Sequence, residues 1–210
     1  MNWKVFSVDT KFSCDTFAVL MNTYLQGFSK RALDIVLSLI LLPVAVILIL
    51  LGVVMVRFTS RGSVFFTQER VGLNGKLFQI YKIRTLHTGD NGDLAGMKKG
   101  DPAILPVGRW LRRWRIDELP QLINILLGDM SWVGPRPERP HLVAKYSELD
   151  ATYASRHQAL PGITGWAQVH FPDATPDENL IKLPFDLEYI GRANLGLDIR
   201  ILWKTILAIG

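Results

Sequence analysis

Ten consecutive residues, Arg112-Arg113-Trp114-Arg115-Ile116-Asp117-Glu118-Leu119-Pro120-Gln121, place two adjacent carboxylates directly behind a cluster of arginines and tryptophans. Together they could supply a nucleophile, a metal ligand and a phosphate clamp. A carboxylate close to fixed positive charge is expected to stay ionised, while the arginines hold a phosphate that would otherwise repel it. The plainer reading is a surface helix whose arginines and acids pair with one another, and these residues alone leave both readings open. The spacing predicts that Asp117 caps a helix running through Leu126, with Pro120 in its first turn and Gly128 past its end. A helix N-terminus favours both an ionised Asp117 and a bound phosphate beside it. Glu118 would point elsewhere on the first turn, where it could hold a divalent cation bridging phosphate oxygens.

A second cluster follows in Gly128-Asp129-Met130-Ser131-Trp132-Val133-Gly134-Pro135-Arg136-Pro137-Glu138. The prolines on either side restrict the backbone around Arg136 and present its guanidinium at little entropic cost. The structural alternative pairs Arg136 with Glu138 or Asp129. Pro161 to Gln168 reads as a turn leading into a short extended stretch, with no chemistry of its own. His87, His141, His157 and His170 have no ligand spacing, and adjacent carboxylates at a helix start do not straddle a glycosidic bond.

The elements that must position these groups begin with an apolar segment, Ile35 to Val56, which carries no charge over about 22 residues and is long enough to cross a bilayer core. It starts too far into the chain, and is too long, to be a signal peptide. Lys30 and Arg31 precede it and Arg57 and Arg61 follow it, so the bias of basic residues toward the cytoplasm places both ends on one face. Pro43 near its middle removes a backbone donor and predicts a break there, giving a re-entrant helix-break-helix hairpin; a spanning helix and a buried soluble helix are the alternatives. Asp34 is expected to be neutralised by Arg31 at i,i+3 spacing. The 210 residues suit one compact domain, with a mean hydropathy of +0.19, a formal charge of +5 and a pI near 9.4 that favour an anionic partner. Cys14 is alone, so the chain can form no internal disulfide, which fits a reducing compartment.

The rest reads as a globular unit resting on the membrane. Val64 to Phe66 and Leu77 to Ile83 flank Asn74-Gly75, a two-residue turn signal, and predict a β-hairpin. Thr88 to Gly100 is a polar loop in which Asp90-Asn91-Gly92-Asp93 reads as an ordinary turn and not a calcium loop. Pro106 opens a helix carrying Trp110 and Trp114 at i,i+4 among Arg109, Arg112, Arg113 and Arg115, a pattern suited to a headgroup interface. Nucleic-acid binders share such interleaving, but the neighbouring apolar segment favours lipid over nucleic acid. Leu195 to Ile209 suits a second interfacial helix, or packing on the core or on another copy of the chain, so a homo-oligomer stays open. The expected fold is α+β and predominantly helical. It divides into an N-terminal extension (1–28), a re-entrant membrane helix (29–57) and a cytosolic catalytic unit (58–210) containing the small hairpin.

In order and spacing these residues resemble the bacterial sugar transferase family, the monotopic phosphoglycosyl transferases, from about Lys30 to Ile206. The landmarks are Lys30-Arg31 with Asp34 before the proline-containing apolar segment, Val64 to Gly72, Gly75-Lys76 with Lys82-Ile83-Arg84-Thr85, Asp117 to Gln121, Gly128 to Ser131, Val133 to Pro137 and Pro161 to Gly165. The resemblance implies transfer of a sugar 1-phosphate from a UDP-sugar to polyprenyl (undecaprenyl) phosphate, with release of UMP, at the cytoplasmic face of a bacterial inner membrane. It implies Asp117 as the nucleophile of a covalent phosphosugar intermediate and Glu118 as a ligand of Mg²⁺. Arg112 and Arg136 match phosphate- or nucleotide-binding arginines, and Lys82 and Arg84 are further candidates for that work. The chain departs from the family pattern at Ala103-Ile104-Leu105 after Asp101-Pro102, at Leu86, and at Leu42 before Pro43. Longer relatives add spanning helices and a further domain ahead of this unit, so a minimal catalytic form is expected. The rival expectations are a metal-dependent phosphohydrolase and a non-catalytic membrane-anchored scaffold. The identity of the sugar is not written in these motifs.

Overall fold

The structure, a computed structural model, describes residues 22–87, 101–172 and 179–208. The expectations for Cys14, for the Thr88 to Gly100 loop and for Ile209 lie outside the described residues. The described fold is mainly helical, with two small sheets. One long helix, α1 (Phe28–Thr59), carries the apolar segment and runs through Pro43 without dividing into two elements. Its buried residues, Lys30, Asp34, Ser38, Ala45, Gly52 and Val56, recur at four- and seven-residue intervals, so one stripe keeps its phase on both sides of the proline. The opposite face, from Val36 and Ile40 through Ile47 and Leu50 to Phe58, is exposed and apolar.

Strand β1 (Phe65–Val71) pairs antiparallel with β2 (Leu77–Ile83), from Phe65 opposite Ile83 to Val71 opposite Leu77. The expected hairpin is present, but its link is Gly72 to Lys76 and not two residues. Asn74 and Gly75 both take positive φ (54° and 79°) inside a short 3₁₀ turn, closed by the Gly72 and Lys76 backbones, and this uses up the Asn-Gly signal without a tight turn. Helix α2 (Pro106–Arg113) starts on Pro106 as expected and ends at Trp114. A 3₁₀ turn (Ile116–Gln121) leads into α3 (Leu122–Leu127), which Gly128 terminates at φ 91°. The parallel pair β3 (Ser131–Val133) and β4 (Gly162–Thr164) packs through Val133 against α5 (Trp166–His170), α6 (Asn179–Arg192) and α7 (Leu195–Leu207), while α4 (Pro140–Leu149) packs on α6 through Leu142, Tyr146 and Leu183.

Both ends of α1 are fastened to this unit. At one end Lys30, buried, donates to Asp198 at 2.7 Å, to the Val133 carbonyl at 2.8 Å and to the Tyr189 hydroxyl at 3.2 Å. Arg31 donates to the Ile125 and Leu126 carbonyls, satisfying acceptors at the C-terminus of α3. The two basic residues that precede the apolar segment therefore have their partners inside the protein. Asp34 is not paired with Arg31 as expected: it accepts from Ser131 Oγ and the Trp132 amide, because Arg31 turns to α3. At the other end, Val56 joins Ile83, Leu105, Leu111 and Ile116 in one apolar cluster. Gly52 lies so close to Ile83 that an added Cβ would meet its side chain at 2.8 Å. Between the ends, Ala45 packs with Phe78, Ile80, Leu122, Ile125 and Met130.

Candidate active site

The carboxylate pair is placed by a reversal of the chain. After α2, Arg115 adopts φ 53°, the left-handed region that few side chains other than glycine enter, and its carbonyl accepts from the Glu118 amide. The 3₁₀ turn that follows directs Ile116 into the apolar cluster behind α1 and leaves Asp117 and Glu118 beside β2. Asp117 is thus not a helix cap as expected, because the turn begins one residue earlier and no side chain caps it. Both carboxylates are nonetheless buried, each about 8% exposed.

Lys82 Nζ, from β2, donates to Glu118 Oε1 at 2.8 Å, and Arg136 Nη2 donates to the same oxygen at 3.0 Å. The pairings of Arg136 with Glu138 or Asp129 weighed from sequence give way to this one, which bridges the proline-flanked loop to the turn. Arg112 Nε donates to Thr85 Oγ1 at 2.8 Å, and its charge acts on Asp117. Arg84 is not brought to the pair: it donates through Nη2 to the Arg61 carbonyl at 2.8 Å, and its buried Nε and Nη1 have no partner among the described residues.

The cations do not serve the two acids equally. Burial opposes the charge of Glu118, but Lys82 and Arg136 outweigh it and hold its carboxyl well below the usual range. Burial, and then the neighbouring Glu118 charge, push the Asp117 carboxyl up to about 6 against the pull of Lys82, Arg112 and Arg136. Asp117 is therefore ionised at neutral pH but not deeply so, where sequence reasoning expected it to be held firmly anionic. Such a carboxylate is desolvated, basic and flanked by cations, the conditions under which it can attack a phosphorus whose own charge those cations reduce.

Among the described residues no group of three or more His, Cys, Asp or Glu could enclose a metal ion. A Mg²⁺-type cation needs only one or two carboxylates when substrate phosphates and waters complete its shell. The donor chemistry of Asp117 and Glu118 fits that requirement.

Several groups that build the site were not singled out from sequence. Buried Asn124 of α3 donates to the Gln79 carbonyl at 2.7 Å and accepts from the Tyr81 amide at 3.2 Å, fixing β2 against α3. Buried Arg156 pairs with Asp186 of α6 at 2.6 Å, and Arg70 of β1 reaches the Pro137 carbonyl at 3.0 Å. The signal available for Asn124 and Asp186 was a lone polar residue on an apolar helix face.

Comparison with known sequences identifies the family. The bacterial sugar transferase family model matches residues 25–210, and the chain belongs to that family. It is 41% identical, over 84% of its length, to an undecaprenyl-phosphate glucose phosphotransferase of Komagataeibacter xylinus. It is 39% identical, over 89% of its length, to a UDP-N-acetylgalactosamine-undecaprenyl-phosphate N-acetylgalactosaminephosphotransferase of Aeromonas hydrophila. A UDP-glucose:undecaprenyl-phosphate glucose-1-phosphate transferase of Caulobacter vibrioides is 41% identical over 84% of the chain. The chain spans 35%, 45% and 68% of the lengths of these three relatives, respectively.

Proposed function

We propose that the protein transfers a sugar 1-phosphate from a UDP-sugar to polyprenyl phosphate through a covalent intermediate on Asp117. The observation that carries this reading is the division of labour between the acids, with Glu118 neutralised by Lys82 and Arg136 and Asp117 left basic beside it. In the first step an Asp117 carboxylate oxygen bonds to the sugar-bearing phosphorus, the phosphoanhydride breaks, and the electron pair leaves on UMP. In the second step an oxygen of the polyprenyl phosphate bonds to that phosphorus, the acyl phosphate breaks, and Asp117 returns as carboxylate with polyprenyl diphosphate sugar as product. Arg112 and Arg136 offset the phosphate charge, and Lys82 keeps Glu118 in place. Mg²⁺, held by Glu118, would stabilise charge on the phosphate oxygens and the leaving group. Arg84 makes its side-chain contact with the Arg61 carbonyl and not with the carboxylates, so its part in phosphate binding is the weakest of the four basic residues.

The membrane disposition belongs to the same reading. A chain whose α1 is fastened along one stripe and at both ends to one folded unit is best accommodated with both ends of α1 on one face and its exposed apolar face in lipid. Trp110 and Trp114 on one side and Ile199, Trp203 and Ile206 of α7 on another give an apolar rim at headgroup depth. On this reading the site lies at the cytoplasmic surface of the bacterial inner membrane, within reach of the lipid phosphate.

The test is purified protein with Mg²⁺ and a panel of UDP-sugars beginning with UDP-glucose, with and without undecaprenyl phosphate. The expected result is one equivalent of UMP without lipid, a phosphosugar adduct on Asp117 by mass spectrometry, and turnover only with lipid. Chelation of the metal and Asp117→Asn should each abolish the adduct. Steady release of sugar phosphate without lipid would show a hydrolase, and no UMP from any UDP-sugar would remove the transferase reading. For topology, Phe28→Cys and Phe58→Cys, each in a Cys14→Ser background, should react with an impermeant maleimide from the same side of sealed vesicles; reaction from opposite sides overturns the one-face disposition.

A further inference from the structure

The loop that presents Arg136 has no regular secondary structure, yet four carbonyls in succession are held. The Pro135 carbonyl accepts from the Gly162 amide at 2.9 Å and the Glu138 carbonyl accepts from the Val71 amide at 2.9 Å. Between them, the Arg136 carbonyl accepts from Arg156 Nη2 at 3.1 Å and the Pro137 carbonyl accepts from Arg70 Nη1 at 3.0 Å. Pro135 and Pro137 have no N–H, so carbonyls are the main handles by which the rest of the fold can grip this backbone.

Both guanidinium groups are themselves held. Arg156 is buried, with Nε and Nη2 on Asp186 Oδ2 at 3.0 and 2.6 Å and Nη1 on the Tyr153 hydroxyl at 3.1 Å. Arg70 donates through Nη2 to Gln68 Oε1 at 2.7 Å and lies 3.8 Å from Glu138 Oε2. Neither makes an ion pair with Asp117 or Glu118; each meets instead the peptide group on one side of Arg136 or the next. A guanidinium anchored on one side and donating to a carbonyl on the other fixes that carbonyl in direction as well as distance.

We infer that Arg70 and Arg156 are positioning residues for the phosphoryl transfer, acting through the backbone of Arg136 to keep its guanidinium on Glu118. The inference rests on the proposed reading of Glu118 and Arg136. The experiment is a pair of double-mutant cycles, Arg70→Gln and Arg156→Lys, each alone and with Arg136→Ala, reading the rate of UMP release in the first half-reaction and the melting temperature. Each single variant should lose about tenfold in rate, the cost of roughly one lost charge-assisted hydrogen bond. In the Arg136→Ala background the same change should cost less than about twofold, because the group being positioned is gone. Arg70→Lys, which can still reach the Pro137 carbonyl, should recover most of the rate.

A full tenfold loss in both backgrounds, or wild-type rates in the single variants, overturns the inference. If Arg156→Lys fails to fold because its Asp186 contacts are buried, the Arg70 cycle decides, since Arg70 lies nearer the surface. A normal rate for Arg136→Ala alone would instead overturn the underlying reading of the site.

Discussion

Replacing Lys82 by methionine separates two roles that its position allows. Lys82 sits 2.8 Å from Glu118 and its charge lowers the pKa of Asp117. If its main task is to set the charge state of the pair, its removal should act through ionisation of Asp117. With a carboxyl near 6, Asp117 is ~90% ionised at pH 7. An opposite charge within hydrogen-bonding reach shifts a carboxyl by ~1–3 units. Lys82 is shared with Glu118, and its removal takes away one of the three cations that oppose burial, so the Asp117 carboxyl rises further and less of it is ionised at pH 7. The first half-reaction, followed by quenched-flow measurement of the UMP burst without lipid, should therefore slow by roughly two- to tenfold at pH 7 and recover toward pH 9. The midpoint of the pH profile should move upward with it. A loss of tenfold or more that is constant from pH 6 to pH 9 would refute the reasoning, and would make Lys82 a phosphate ligand in its own right.

Three structural predictions accompany it. Asp198→Asn leaves Lys30 buried without its counter-charge and disturbs two tyrosine hydroxyls bonded to that carboxylate; a loss of ~3–5 kcal/mol should appear as a melting temperature lower by ~6–20 °C in detergent. Gly134→Ala would put a Cβ 2.1 Å from the Leu160 carbonyl oxygen, forcing β3 from β4 and preventing recovery of folded protein, whereas Gly75→Ala meets nothing within 4 Å and should cost only ~1 kcal/mol for its positive φ, both read by thermal melts. Asn124→Ala should raise hydrogen exchange at Tyr81 and cut the burst rate, since β2 would no longer be held where Lys82 meets Glu118.

Much of the site was legible from local sequence because its groups cluster along the chain. Asp117 and Glu118 come next to each other, Pro106 and Gly128 mark the ends of the elements around them, and the prolines around Arg136 announce a restrained loop. The contacts that complete the site join residues far apart in sequence, and no periodicity reports them. Arg136 meets Glu118 across β3, Arg156 reaches back to the Arg136 carbonyl from beyond α4, and Lys30 finds Asp198 from the opposite end of the chain. The same limit explains the errors. A capping aspartate and a chain reversal at a left-handed arginine share the residues Arg-Ile-Asp-Glu, and only the packing of Ile116 behind Val56 selects the latter. Lys30 and Arg31 were read only as charges flanking the apolar segment, because their internal partners lay more than ninety residues away.

The long helix is commonly pictured as a stake that could be sawn off to free a water-soluble catalyst. Here Gly52 and Val56 press on Ile83, Leu111 and Ile116, the residue directly before Asp117. Truncating the chain ahead of Phe65 would strip the back wall from the turn that carries Asp117 and strand the Asp198 charge. Efforts to handle the protein without lipid must therefore recolour the outward side of that helix, at positions such as Ile40, Ile47 and Leu50, and leave its inner stripe alone.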